Sequence, residues 1–256
     1  MFLRLLCGLL FAVLAACAPG SDHLAARSTE AAASRGAEWR NLSVPARLLH
    51  VSEQVAPFGE GLCRSAPRHF EVRAVEAARN CTFVIALDPN PNLPANASQG
   101  VLPDGRPIVV FTSAMVARAA NEHELALVLG HEMAHHIADH APREARRIDE
   151  ASAGVDRALT VEDAGSASRG PERLSPGKAG DRAFLRNFEL EADQLGAEIA
   201  AGAGYDMALG VKLIGRIAGR PGEWRRRDYY PTKQAREAAV LSALSGQAAG
   251  ATASFH

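Results

Sequence analysis

The run NEHELALVLGHEMAHH, residues 121 to 136, constrains this chain more than any other stretch. Asn121 can cap a helix, with Glu124 three residues on in the manner of a capping box, and the pattern predicts a helix through HEMAHH to about His140, stopped by Pro142. On such a helix His131 and His135 are one turn apart, displaced by about 6 Å along the axis, and project from nearly the same face. Both imidazoles can therefore bind one metal ion, and Glu132 sits beside that face, where its carboxylate can act as general base toward a water. With nine His in 256 residues, a random HExxH is expected in about 2% of chains of this composition. The motif alone is therefore moderate evidence, and the rest of the chain has to supply what is missing.

Catalytic zinc takes three protein ligands plus water. Six residues after His135, where one class of zinc proteases has a third His, stands Ala141. His136 and His140 leave the His131/His135 face and read as solvated, or hydrogen-bonded at the helix end. The better third ligand is in FELEADQLG, residues 188 to 196, within a helix that is apolar at Phe184, Phe188, Ala192, Leu195 and Ile199. Glu189 and Asp193 are four apart on one face, so Glu189 can ligate while Asp193 accepts the N–H of a ligating histidine and fixes its tautomer. Glu191 lies off that face and reads as a surface charge. Two imidazoles and a carboxylate can also hold iron or manganese, so the donor set alone leaves the metal open.

Upstream, MFLRLLCGLLFAVLAACAPGS has one cation, Arg4, then an uncharged apolar run shorter than the roughly 20 residues a membrane crossing needs. It reads as a secretory signal over 1–16. Leu14-Ala15-Ala16-Cys17 resembles a bacterial lipobox, which implies acylation of Cys17, and Ala18 after it resembles lipoproteins forwarded to the outer membrane. Ordinary cleavage with Cys17 incidental is the alternative. Cys63 and Cys81 then remain as an even pair in an oxidising compartment, which predicts a disulfide, against two buried free thiols. Residues 17–38 read as a flexible tether.

A domain over 39–245 follows. ARLLHVSEQVAPFGEGLC puts Leu48, Val51 and Val55 at helical spacing, followed by a loop. CTFVIALD reads as a buried strand, PNPNLPANASQG as a Pro/Asn loop and PIVVFTS as a second strand, introduced by a turn at Pro103-Asp104-Gly105. Residues 142–180, rich in Arg, Asp, Ser and Gly, read as a mobile excursion, with a lid over the cleft as the hypothesis for its role. Residues 246–256 read as a loose tail. The fold class is α+β, mainly helical, with a small β-sheet.

The ordered set Asn96-Ala97, PIVVFTS, EHELALVLGHEMAHH, ELEAD and YPTKQAR, spanning about 95 to 240, resembles the HtpX-like and CAAX-prenyl-endopeptidase-like zinc metallopeptidases, peptidase family forty-eight, of the gluzincin type. The resemblance implies a zincin-like domain in which His131, His135 and Glu189 ligate one Zn2+, Glu132 is the general base and Asp193 orients a ligand. Family members often carry His-Pro with an Arg five residues after the Pro. Here Pro231 and Arg236 keep that spacing, and Tyr230 replaces the His. Arg236 and Tyr230 can both serve the oxyanion of a tetrahedral intermediate; a surface cation and a core aromatic are the alternatives.

With 28 Lys+Arg against 29 Asp+Glu, no global field points to nucleic acid, and aromatics are too sparse for base stacking. The leading expectation is a lipid-anchored zinc endopeptidase of the bacterial envelope, facing the periplasm, with unfolded or misassembled envelope proteins as substrates. Such a substrate is expected to pair backbone to backbone along Ile108, Val109, Val110 and Phe111, with Asn96 and Ala97 flanking the cleft. Two rivals stand beside it: a proteolytically silent zinc-binding chaperone or adaptor for outer-membrane protein assembly, and a structural lipoprotein with a fortuitous HExxH.

Overall fold

The computed structural model describes residues 38–66, 80–149, 178–217 and 230–253. The signal segment 1–16, Cys17, the tether up to residue 37 and residues 150–177 of the excursion lie outside the described residues. Residues 38–41 form a helical turn in an N-terminal unit that ends at Asn41; everything below belongs to the unit that starts at Leu42.

Helix α1, Val44–Ser65, starts where the Ser43 hydroxyl accepts from the Ala46 N–H and a proline occupies the first turn, where its missing N–H costs nothing. Its buried residues Leu48, Val51, Val55, Gly59 and Cys63 recur every three or four positions and form one apolar face. The helix continues through Pro57 to Ser65. The face needs that length: Gly59 is where α1 crosses the core, and a Cβ there would stand 2.3 Å from the Met133 side chain. Cys63, near the end of α1, is disulfide-bonded to Cys81, with their Cα atoms 5.7 Å apart. Closing a loop of this length contributes about 3 kcal/mol in the chain-entropy account.

Three strands follow: β1 Val84–Leu87, β2 Ala97–Val101 and β3 Pro107–Phe111. β1 is parallel to β3, β2 is antiparallel to β3, and the order is β1-β3-β2. Pro107, Val109 and Phe111 of β3 are buried while Ile108 and Val110 are less so, the alternation of a strand packed on one face. The β2–β3 turn follows the sequence expectation: Gly105 has φ 84°, and the Asp104 carboxylate accepts from the Arg106 N–H. Two expectations are corrected here. The loop ending in ASQG contains a strand, β2, and β3 is the central strand, so both its edges are occupied and Ile108, Val109, Val110 and Phe111 have no free ladder for a substrate. Asn96 C=O accepts from Thr112 N–H at 2.9 Å and Leu102 N–H donates to Arg106 C=O at 2.8 Å. The even-numbered residues of β2 therefore face β3, and the backbone groups of Ala97, Gln99 and Val101 point to the outer edge. Among the described residues no strand pairs with that edge.

Short helix α2, Ser113–Arg118, leads into α3, Glu122–Ile137. The Asn121 side chain accepts from the Glu124 N–H at 3.0 Å, as expected of the cap. Glu124 itself is fully buried, accepts from the Ala120 N–H at 2.7 Å and pairs with Arg216. Helix α3 is buried nearly all round, from Leu125 through Leu129 and Met133 to Ile137, because α1, β2 and two later helices pack on it. It ends at Ile137, three residues short of the expected stop. Asp139 takes a left-handed conformation, φ 54°, and a new helix, α4, is described over 140–149. Pro142 lies in the first turn of α4, where it is tolerated, and so starts a helix where it was expected to stop one.

Helix α5, Lys178–Gly202, packs along α3; α6 Met207–Gly210, α7 Lys212–Ile217 and α8 Lys233–Ala253 complete the unit. α8 stays helical past residue 246, where the sequence suggested a loose tail. Among the described residues no helix is long and apolar enough to cross a membrane.

Candidate metal centre

α3 and α5 meet backbone to backbone. A Cβ on Gly130 would stand 2.3 Å from the Gly196 carbonyl oxygen, and one on Gly196 would stand 2.5 Å from the His131 nitrogen. Two bare glycines thus let the helices approach more closely than side chains allow, and that approach brings Glu189 and Asp193 of α5 against His131 of α3.

The two Nε2 atoms of His131 and His135 face each other at 3.1 Å. Glu189 Oε2 lies 3.7 Å from His131 Nε2, and the ligand atoms of all three residues lie within 4.8 Å of one another. Ligands at 2.0–2.1 Å around a tetrahedral zinc stand about 3.4 Å apart. The spacings of 3.1 and 3.7 Å bracket that value and the remaining one is within 4.8 Å, so this donor set can hold a single metal ion. His135 suits the task because burial, with His131 and His140 beside it, pushes its pKa down to about 2 and keeps the ring neutral. For His131 burial also opposes a charge, but the hydrogen bond and charge of Asp193 outweigh it and raise its pKa.

Asp193 accepts from His131 Nδ1 at 3.0 Å, which leaves Nε2 as the ligand atom. Its carboxylate, 1% exposed, also receives Arg236, Nε to Oδ2 at 2.7 Å and Nη2 to Oδ1 at 2.6 Å. Burial works against the Asp193 charge, yet the bonds from Arg236 and His131 hold its pKa below the usual carboxylate value. Arg236 thus grips Asp193 with Nε and Nη2, the two-bond arrangement that guanidinium and carboxylate favour, and it lines the same cavity as Glu132 and Tyr230, so the surface-cation alternative is excluded.

Glu132 lines the same cavity as His131, Glu189, Tyr230, Asn96 and Ala97. Burial raises its pKa, opposed by the nearby His131 and, more weakly, by the Gln99 backbone. Gln99 is one of the residues whose backbone faces the outer edge of β2, so the general-base candidate lies close to that edge. The Asn96 N–H is taken by the Thr112 hydroxyl at 3.0 Å, which fixes the rim of the cavity.

Sequence reasoning missed the roles of His140, Glu191 and Arg143 here. His140 is 3% exposed, which excludes the solvated reading and leaves the hydrogen-bonded one, and its Nδ1 lies 2.8 Å from His135 Nδ1. Glu191 is partly buried and bonded to both His140 and Arg143, against the expected surface charge. The one available signal was the fourth histidine of the run, five residues after His135. His136 does lie off the ligand face, with Nε2 2.9 Å from the Asn80 carbonyl oxygen.

The model of peptidase family M48 matches residues 72–243, well over half of the chain. No curated protein matches it.

Proposed function

The chain belongs to peptidase family M48, and from that premise we propose that it is a zinc metalloendopeptidase that hydrolyses unfolded or misassembled proteins of the bacterial envelope. The observation that carries the reading is the convergence of His131, His135 and Glu189 beside Glu132, near a strand edge that no strand among the described residues pairs with. Within the family, the set from Asn96-Ala97 to YPTKQAR groups the chain with the HtpX-like and CAAX-endopeptidase-like members. The lipobox at Cys17 supports a lipoprotein form held at the outer membrane and facing the periplasm.

His131, His135 and Glu189 would hold the zinc, which when bound would supply Lewis acidity toward a carbonyl and toward water near neutral pH. The residues of the chain do the rest. An extended substrate adds to the outer edge of β2 through the backbone of Ala97, Gln99 and Val101, so recognition reads backbone more than side chains and favours unfolded segments. Glu132, made a stronger base by burial, accepts a proton from water at its carboxylate and delivers it to the leaving amine. Asp193, braced by Arg236, keeps the His131 proton on Nδ1. The Tyr230 phenol, on the wall of the same cavity, donates to the oxyanion.

The second reading, a silent zinc-binding chaperone or adaptor, is kept by one observation: Tyr230 stands where relatives often carry His. The test is a denatured β-barrel protein incubated with zinc-loaded full chain, with chelated chain and with chain reloaded with zinc. The peptidase reading expects cleavage that chelation abolishes and zinc restores, with the folded barrel resistant. Zinc-loaded chain that binds the denatured barrel but leaves it intact would favour the chaperone. Labelled palmitate, incorporated by wild type and lost in Cys17→Ser, checks the anchor.

A further inference from the structure

His131 has a visible support: its Nδ1 proton goes to a carboxylate, and that carboxylate is gripped by an arginine. His135 has a support of the same kind, one residue longer. His135 Nδ1 lies 2.8 Å from His140 Nδ1, His140 Nε2 lies 3.2 Å from Glu191 Oε2, and Arg143 Nη1 donates to the same oxygen at 2.8 Å. The His140 ring is stacked on Phe188, 4.2 Å between centroids and 11° from parallel. Arg143 covers Phe188 at 4.4 Å and also donates to the Ala138 carbonyl at 3.1 Å.

Only one proton arrangement lets His135 ligate through Nε2. The ring must then carry its proton on Nδ1 and donate it to His140 Nδ1. His140 needs a lone pair at that atom, so its own proton sits on Nε2, and that N–H donates to Glu191. Each bond has one donor and one acceptor. The left-handed Asp139, φ 54°, makes this geometry: it turns the chain sharply after α3 and returns His140 to the ring it follows by five residues. Had α3 run on to His140, the side chain would have left the ligand face.

We propose that His140, held by Glu191, Arg143 and the Phe188 ring, is the positioning residue for the ligand His135, the counterpart of Asp193 for His131. The proposal rests on the zinc reading above. It extends the site to α4 and makes the turn at 138–139 part of the metal centre.

The test uses the full chain and a chromogenic zinc chelator as competitor. His140→Phe keeps ring volume but removes the acceptor; His140→Asn puts a carbonyl oxygen close to the position of Nδ1. The expected result is zinc binding weakened about 10- to 100-fold in His140→Phe, with His140→Asn within a few-fold of wild type and the metal-free proteins melting alike. Equal zinc affinity in wild type and His140→Phe, or an Asn variant as weak as the Phe variant, would overturn the proposal. A measurement without substitutions decides it if either variant fails to fold. Imidazole 15N shifts of the zinc-loaded wild type should place protons on His135 Nδ1 and His140 Nε2, and a proton on His140 Nδ1 would refute the relay. Wild type that binds no zinc would remove the metal reading itself, whereas zinc-binding wild type with an equally tight Phe variant removes only the role of His140.

Discussion

Glu132→Gln is expected to lower the rate of peptide hydrolysis by at least 10²- to 10⁴-fold while leaving zinc content unchanged. The magnitude is that of removing a positioned general base. The amide keeps the size of the carboxylate, so the change removes proton transfer and little else. Glu132 is outside the ligand group of His131, His135 and Glu189, which is why metal content should not follow activity. The measurement is turnover of an unfolded protein by wild type and variant at matched zinc occupancy. Equal turnover would take Glu132 out of the chemistry, and loss of zinc with activity would make it a ligand.

Gly196→Ala is expected to destabilise the fold by about 1–3 kcal/mol, the range for overpacking, and to weaken zinc binding with it. Two effects compete. Alanine is about 1 kcal/mol better than glycine in a helix interior, but here the new Cβ would stand 2.5 Å from the backbone nitrogen of His131 and 2.7 Å from its Cα. Backbone cannot rotate aside as a side chain can, so α3 and α5 must separate, and the ligands they carry separate with them. Gly61→Ala on α1 is the control, since nothing lies within 4 Å of its added Cβ. It should gain up to about 1 kcal/mol from helix propensity alone. Thermal unfolding should move in opposite directions for the two variants, by about 2–4 °C per kcal/mol for a chain of this size. A Gly196→Ala protein that melts with Gly61→Ala and keeps its zinc would show that the helix crossing has slack.

The ligands were legible in the sequence because they follow helix geometry: His131 and His135 are four apart, Glu189 and Asp193 are four apart, and the period of α3 and α5 puts each pair on one face. What pairs with what across the fold was not legible. β2 is built of ASQGV, mostly weak strand formers, and is a strand because its even residues meet the β3 ladder; nothing local announces it. PIVVF reads as a strand from its own residues, but whether it is central or at an edge depends on where β1 and β2 lie. Glu191 was set aside for pointing away from Glu189, and it does, toward α4, a helix whose start depends on the left-handed turn at Asp139. Arg236 kept its spacing to Pro231, yet its partner sits 43 residues earlier on α5. A charge role is visible in sequence, while the identity of the opposing charge is a tertiary fact.

The central claim is that two imidazoles from α3 and one carboxylate from α5 hold the same zinc ion, and metal content tests it most directly. Full chain purified without chelators should carry one zinc per molecule. Glu189→Ala should lose that ion or bind it at least 10-fold more weakly, with the metal-free fold intact, as should His131→Ala. Stoichiometric zinc retained at wild-type affinity in Glu189→Ala would contradict the account, because the ion would then be held without the carboxylate that joins the two helices.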